Sequence, residues 1–417
     1  MNKYFFIILM LIPSTLVLAQ NTPSSPYTYF GIGDIYQKGF GHNAMKGGTG
    51  IADRDPFSIN NLNPASYSSI ANSPFTFLNE FGLSAYMSTR NDGDENGVEY
   101  GMDFPYLAVA FKTGNSSGAS IGLRKYSNVN YSILSESNFN GITGSYQTNY
   151  EGSGGLNEVY FGYGKSFGRN LSIGVHGSYI FGQIENTQTI QSSTVNYSML
   201  VEDKNFLRTL NYDLGIQYTV PIKSSSITIG ATYAPSTDVT GSRDILIADT
   251  RSGIGNDQDT IAYEPLEDRS YILPHSYGLG IAWDYKSKFK VNVDYKTQLW
   301  GESDLSGKDY ELRDSRRLAF GFEKLPNYKG NRYDQFVSWA IGAYAEESYL
   351  EISDEGLNSV GVTLGCSLPI GNKGMLRLVA ERGTRGQGLE NFFTESYNKL
   401  TIDITYMDRW FSKRRID

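Results

Sequence analysis

Hydrophobic and polar residues alternate with a period of two along much of the chain. In Phe289–Lys296 every odd position is apolar and every even position is polar, and similar alternation runs through Leu171–Phe181 and Leu400–Tyr406. Such a period is typical of β-strands whose two faces meet different surroundings. The second face consists mostly of Gly, Ser, Thr, Asn and Asp, as expected for a polar interior.

About fourteen segments of this kind follow one another between residues 75 and 411. Helical periodicity is weak throughout, so the pattern predicts an all-β chain. The count is even, as in bacterial single-chain outer-membrane barrels, and it predicts a transmembrane antiparallel β-barrel. The predicted strands span 75–90, 100–113, 118–135, 155–167, 171–184, 204–221, 225–236, 270–286, 288–300, 310–323, 334–346, 356–369, 374–384 and 396–411.

The connections between these segments alternate between short and long. Outer-membrane barrels have short turns at one rim and long loops at the other, whereas a two-sheet sandwich has no reason to alternate in this way. The short turns and their flanks are basic, and the long connections are acidic. The predicted long connections lie near 91–99, 136–154, 185–203, 237–269, 301–309, 347–355 and 385–395.

Composition and charge exclude several function classes. The net charge of −8 argues against a general nucleic-acid binder, which needs a basic surface. A single cysteine, Cys366, excludes an intramolecular disulfide framework and a multi-cysteine zinc site. It shares the apolar register of its strand, which predicts a thiol facing lipid. We expect no cofactor.

Residues 1–19 have the features of a secretory signal peptide. Lys3 supplies the positive start, Tyr4–Leu18 the apolar stretch, and Val17-Leu18-Ala19 a cleavage site before Gln20. An N-terminal membrane anchor is the alternative. No later stretch has the 18 to 20 apolar residues of a spanning helix. The mature chain is therefore either a soluble exported protein or an outer-membrane barrel, and the alternating connections favour the barrel.

Residues 20–74 stand outside the strand pattern. A segment of this length without strands is usually functional or disordered, and its Gly-rich run and turn signals argue for order. We expect it to form a hatch folded into the lumen of a barrel that occupies residues 75–417. The candidate hatch and gating residues are Gly47, Gly48, Gly50, Asn63, Pro64 and Ala65.

The hatch segment also carries a family resemblance. The run MKGGTGIA at 45–52, then NPAS at 63–66, then a strand-rich chain resembles the FadL-like outer-membrane proteins, named for the long-chain fatty acid transporter. The stretch SPYTYFGIGDIYQKGFG at 25–41 is similar to an extension common in such proteins from Bacteroidota. The resemblance implies a 14-stranded barrel, a hatch in its lumen, and passage of hydrophobic molecules through the hatch and a kink-formed lateral opening.

The acidic residues between 92 and 103 and the three histidines could each form a site, but each also has a simpler interpretation. Asp92, Asp94 and Asn96, with Asp103 eleven positions after Asp92, imitate a calcium-binding loop. A solvated acidic loop between two strands is the simpler interpretation, with loose Ca²⁺ bridging to lipopolysaccharide as a further alternative. A Ser–His–acid site would have to use one of three histidines, and no such constellation is visible in the sequence. These histidines are His42, His176 and His275.

The sequence therefore predicts a non-catalytic outer-membrane barrel for passive uptake of hydrophobic small molecules. Its expected surroundings are outer-membrane lipids and lipopolysaccharide. The superfamily also includes PorV-like barrels of the type IX secretion system. The alternative function is thus a docking or plug component of a secretion translocon, acting through protein contacts. An enzyme is the third and weakest hypothesis.

Overall fold

We analysed a computed structural model of the chain. The structure describes residues 24–91, 96–139, 143–192, 197–250, 259–305, 310–327, 329–387 and 393–410. The predicted signal peptide and the two candidate metal ligands Asp92 and Asp94 lie outside the described residues.

The described residues form one sheet of nineteen strand segments, numbered here in chain order. The short strand β1 (Asp34–Ile35) belongs to the N-terminal segment, and the other strands form the wall. They are β2 (Phe77–Asn91), β3 (Asn96–Lys112), β4 (Ser117–Lys125), β5 (Ser127–Asn138), β6 (Ser145–Phe167), β7 (Leu171–Ser192), β8 (Tyr197–Ile222), β9 (Ser225–Ala234), β10 (Thr237–Asp249), β11 (Asp259–Leu273), β12 (Ser276–Tyr285), β13 (Phe289–Gln298), β14 (Tyr310–Leu312), β15 (Ser315–Lys324), β16 (Ser338–Ile352), β17 (Glu355–Ile370), β18 (Gly374–Arg385) and β19 (Thr394–Asp408).

Four strands of the wall are each built from two segments in line: β4 with β5, β9 with β10, β11 with β12, and β14 with β15. β4 and β5 both pair with β6, β9 and β10 both pair with β8, and β14 and β15 both pair with β16. β11 pairs with β10, and β12 pairs with β9. The wall therefore has fourteen antiparallel strands. Strand β19 pairs with β2 and closes the barrel. This confirms the predicted fold class and strand number.

Helices are few in the described part of the chain. The α-helix α1 (Gly41–Ala44) is one turn long. The 3₁₀ helices span Pro26–Tyr29, Pro64–Asn72, Trp300–Glu302 and Tyr333–Gln335. No helix among the described residues has the length and apolar character needed to cross a bilayer.

The period of two along the strands separates lumen from exterior. On β13 the polar residues Lys290, Asn292 and Asp294 are buried in the lumen, while Val293 and Tyr295 face outward and are exposed. Apolar outward side chains of this kind occur on strands around the whole wall. Exposed Val, Leu, Ile and Phe are stable in such numbers only against hydrocarbon, so they define a membrane band. Cys366 lies on the outward register of β17, as predicted.

Several stretches predicted as long connections are strands in the structure. Strand β6 begins at Ser145 rather than near 155, β7 continues to Ser192, and β10 and β11 extend through much of 237–269. Beyond the membrane band both faces of a strand meet water or polar lumen. The sequence there loses its alternation, although the backbone ladder continues.

Candidate functional site

The N-terminal segment lies inside the barrel and divides into two parts. The lower hatch (residues 40–72) lies near the rim with the short turns, and the upper hatch (residues 24–38) lies near the rim with the long connections. Most side chains of the lower hatch are buried.

The lower hatch rests against a row of lumen-facing glycines in the wall. A Cβ atom at any of these positions would overlap hatch atoms, mostly backbone. The wall therefore has glycines there because the hatch chain comes too close for a side chain. This glycine row consists of Gly164, Gly174, Gly215, Gly230, Gly280, Gly321, Gly342 and Gly365.

Two of the predicted hatch glycines turn the chain against β16 and β17. Gly47 and Gly48 have φ angles of +67° and +81°, a region that favours glycine. The Gly47 amide donates to Thr363 Oγ1 at 2.9 Å, and its carbonyl accepts a hydrogen bond from Arg317 Nη2 at 3.1 Å. Gly50 donates its amide to Asp294 Oδ2 at 2.6 Å. Gly47 and Gly50 therefore bind wall side chains through their backbone, whereas the Gly48 amide donates to the Asn43 carbonyl within the hatch at 3.0 Å.

The NPA turn joins another side of the lower hatch to the wall. Asn63 Nδ2 donates to the carbonyl of Ile51 at 2.8 Å, and Asn63 Oδ1 accepts from the Ala65 amide at 3.0 Å. Pro64 begins the 3₁₀ helix and packs directly on Gly174. The structure thus places all six candidate hatch residues in hatch-to-wall or hatch-to-hatch contacts.

A buried cluster of charges ties the lower hatch to β13 and β15. Lys46 forms an ion pair with Asp53, and Lys290 Nζ lies 2.7 Å from Asp53 Oδ1. His42 Nε2 lies 3.2 Å from Glu323, which is also 3.5 Å from Lys46 Nζ. Burial alone would raise the pKa of Asp53, but Lys290 and Lys46 outweigh it and hold this pKa well below its usual range. Asp53 is therefore a carboxylate clamped between two ammonium groups.

Arg377 and Asp294 are buried in the lumen, and each is bound by groups outside its own strand. Arg377 binds Asp403 at 2.6 Å and Glu80 at 3.4 Å rather than Glu381. Asp294 accepts backbone hydrogen bonds from the hatch rather than binding Lys296. These partners lie on other wall strands and on the hatch, so the pattern of a single strand does not reveal them.

The histidines do not form an accessible catalytic site. His42 Nδ1 is 3.1 Å from Ser58 Oγ, and its other nitrogen faces Glu323. However, Ser58 is 3% exposed and does not line the cavity described below. His176 lies in the lumen 3.0 Å from Asp213, and His275 accepts a hydrogen bond from the Ser236 amide.

The upper hatch pairs with one strand edge and packs against the wall on other sides. Strand β1 pairs with β5, and the amides of Ser25 and Tyr36 donate to the carbonyls of Asn130 and Tyr126 at 2.9 Å. Elsewhere on the wall, Asp34 forms a 2.8 Å ion pair with Arg385 on β18, and Lys38 forms an ion pair with Asp213 on β8.

The wall has a side opening next to this attachment. The strand formed by β4 and β5 breaks at Tyr126, and β3 pairs with β4 only over Tyr106–Lys112. Above that level, no described backbone pairing joins β3 residues 96–105 to β5, whose edge is occupied by β1 instead. A bulge at Phe104 and Pro105 bends β3 at the same level. The break between β4 and β5 and the bulge in β3 thus coincide with the level at which no described backbone hydrogen bonds join the two wall strands.

A cavity of about 300 Å³ lies between the upper hatch and the wall at this opening. Its lining includes Tyr100, Pro105 and Lys125 from the strands that border the opening. Across the opening, Lys125 Nζ lies 2.5 Å from Asp103, which also accepts a hydrogen bond from Tyr36. These three side chains close the gap that the backbone leaves. Further aromatic lining comes from Tyr36, Phe40, Tyr86, Tyr106, Tyr344, Tyr349 and Tyr397.

The candidate calcium loop is not assembled by the described residues. Asp103 lies seven positions along β3 from Asn96, about 23 Å at the rise of a strand, and its carboxylate is engaged by Lys125. No group of three or more potential metal-ligating side chains occurs among the residues that the structure describes.

Known structures share this fold. The P. putida toluene transporter TodX is 15% identical with a TM-score of 0.58, covering 92% of this chain and 99% of its own. A FadL homologue from Pseudomonas aeruginosa is 11% identical with a TM-score of 0.60, covering 90% and 99%. The toluene transporter TbuX from Ralstonia pickettii is 16% identical with a TM-score of 0.56, covering 89% and 99%.

No curated protein matches the chain significantly. The family model described as BamG matches residues 1–417. With the closed barrel, its apolar exterior and the internal hatch, this match leads to one conclusion: the chain belongs to the BamG family and has the fold of FadL-like β-barrels of the bacterial outer membrane.

Proposed function

We propose that the protein is a passive, non-catalytic conduit for hydrophobic small molecules, and that solute moves through the side opening between β3 and β5. The observation that carries this proposal is the coincidence of three features at one level. The ladder is interrupted, a cavity of about 300 Å³ lined by tyrosines and by charged side chains lies behind the interruption, and both adjoin the upper hatch. The neighbours of known structure, a toluene transporter among them, support the same class of solute.

The side opening is the proposed route because the other path, along the lumen, is blocked. A path straight down the lumen meets the lower hatch, which is held by buried ion pairs and lies against the glycine row. Among the described residues, the side route is crossed by the Lys125–Asp103 pair and the Tyr36 hydroxyl. Side-chain rotations move such groups on far shorter timescales than the displacement of a buried, ion-paired segment. The side opening is therefore the route of lower resistance.

The solute class follows from where the opening leads. The outward residues beside it, including Phe104 and Leu123, face the membrane band. A solute leaving the cavity sideways therefore enters hydrocarbon, which favours apolar molecules and rejects ions. In the cavity, tyrosine rings offer apolar faces to such a solute.

Crosslinking across the opening tests the proposal. Asp103→Cys and Lys125→Cys are introduced together in a Cys366→Ser background and joined with a bifunctional thiol reagent. Uptake of the hydrophobic dye N-phenylnaphthylamine is followed by fluorescence in intact cells, where the outer leaflet is the barrier. Without the linker, we expect dye uptake to rise, because the Lys125–Asp103 ion pair across the opening is gone. Once the linker is attached, we expect dye uptake to fall at least fivefold.

A matched pair on the continuous wall serves as the control. Asn149 and Thr189 face each other across β6 and β7. Linking cysteines at these positions should leave dye uptake unchanged. Equal uptake with linked and unlinked cysteines at 103 and 125 would contradict the proposal. The docking alternative finds no support in the structural neighbours, and no feature of the described residues favours it.

A further inference from the structure

A groove crosses the outer face of the wall where β16, β17, β18, β19 and β2 run side by side. Its volume is about 500 Å³, and its surface is almost entirely apolar. Ala380 and Ala85 form its floor because their short side chains lie among larger outward neighbours on adjacent strands. Those larger neighbours are Ile341, Val362, Leu364 and Leu400.

Arg382 is the outward-facing cation at the upper end of the groove among the described residues, whereas Lys399 and Glu381, which also line the groove, belong to the lumen register. Arg382 lies two residues above Ala380 on the outward register of β18 and faces Asn398 across the ladder. It is eight residues from the start of β18 at Gly374, about 26 Å along the strand. With a strand tilt of about 40°, this is about 20 Å of height, near the top of a hydrophobic band of roughly 25 Å. Arg382 is therefore at the level of lipid headgroups.

The guanidinium of Arg382 has no carboxylate partner among the described residues. Its cross-strand neighbours, Val362 and Asn398, are both uncharged. By contrast, Arg316, another outward arginine near this rim, has Glu347 at 3.6 Å. An unneutralised guanidinium directly above an apolar groove matches a ligand with an anion at one end and hydrocarbon below it.

We propose that this groove binds one phosphorylated lipid of the outer leaflet, with an acyl chain along Ala380 and Ala85 and a phosphate on Arg382. All acyl chains are equally apolar, so the groove alone gives affinity for any lipid. Selectivity comes from the arginine, because a guanidinium binds phosphate through two parallel hydrogen bonds. This site is on the outside of the wall and does not depend on the proposed conduit function.

The test measures lipid bound to the full-length barrel extracted from outer membranes in mild detergent. Native mass spectrometry counts phosphorylated lipid retained by the wild type and by Arg382→Gln, which removes the charge. A second variant, Ala380→Phe, fills the groove but keeps the charge. Both substitutions point away from the lumen, and the heat-dependent shift in gel mobility confirms that each barrel is folded. We expect each variant to retain at least fivefold less lipid than the wild type.

Arg208→Gln is the matched control. Arg208 is also exposed on the outer face, above the apolar Leu210, but it does not line the groove. We expect the control to retain lipid at the wild-type level. Equal losses in Arg208→Gln and Arg382→Gln would overturn the proposal, as would full retention after Arg382→Gln. Release of a bound protein rather than a lipid by Ala380→Phe would also overturn it.

Discussion

The lower and upper hatch belong to one continuous segment, yet they are held in different ways. The lower hatch contacts glycines on strands around much of the ring and shares a buried ion cluster with β13 and β15. The upper hatch pairs with the edge of β5, packs Tyr27, Phe30 and Ile32 into an apolar cluster with wall residues, and borders the cavity. Its ion pairs join Asp34 to Arg385 and Lys38 to Asp213. The two parts are therefore held by different kinds of contact: buried charges and close backbone contact in the lower hatch, and apolar packing and an edge ladder beside a cavity in the upper hatch.

The largest effect is expected from breaking the fit of the lower hatch. In Gly342→Leu the new side chain would overlap the backbone of Gly47, which has no space to move. We expect most of the folded barrel to be lost, because a clash with backbone cannot be relieved by rotating a neighbouring side chain. The amount of heat-modifiable barrel in outer membranes measures this. Gly177→Leu is the control, since a Cβ there meets nothing within 4 Å, and it should assemble normally.

An intermediate effect, dependent on pH, is expected from the ion cluster. Asp53→Asn leaves Lys46 and Lys290 buried without their shared carboxylate, which typically costs about 3–5 kcal/mol of unfolding free energy. The pKa of Asp53 is lowered in the folded state, so its stabilisation is fully present above about pH 4, near the usual value for a free carboxyl, and is lost as the pH falls further.

Urea unfolding of the wild type and of Asp53→Asn, measured at pH 7 and at pH 3, checks both statements. The difference in unfolding free energy should shrink at the lower pH. Asp408→Asn is the control, because the Asp408 carboxylate pairs with a half-exposed Lys373 at the lower rim. A constant difference across this pH range would show that the carboxylate charge of Asp53 is not what holds the lower hatch.

The smallest effect is expected in the upper hatch. Thr28 Oγ1 lies within hydrogen-bonding distance of both the amide and the carbonyl of Asn130 on β5. Thr28→Val removes these contacts at a cost of about 1 kcal/mol. We expect faster amide hydrogen exchange at residues 126–130 and unchanged exchange in the lower hatch. Equal acceleration in both parts would contradict their separate behaviour.

The sequence was informative where the surroundings impose a pattern. Alternation identified the fourteen wall strands because lipid and lumen differ in polarity. It did not identify the break at Tyr126, because the absence of hydrogen bonds to a neighbouring strand does not change the alternation within the strand itself. Only the family resemblance therefore predicted a side opening.

The ion cluster was missed for a related reason. Lys290 and Glu323 occupy the inward face of their strands, which the pattern shows, but an inward charge in a narrow lumen requires a partner. Lys46 and Asp53, in or beside the Gly-rich run, are those partners. Inward charges on wall strands, considered together with charges in the hatch segment, are the signal that could have predicted the cluster.

The glycine row also has a consequence for the order of events in folding. The hatch precedes every wall strand in the chain, and the wall closes where its last strand, β19, meets its first, β2. Because hatch backbone touches glycines on so many strands, a closed wall leaves no passage through which a folded hatch could enter. The wall must therefore assemble around the hatch, and the final strand pairing is the step that locks this earliest part of the chain inside.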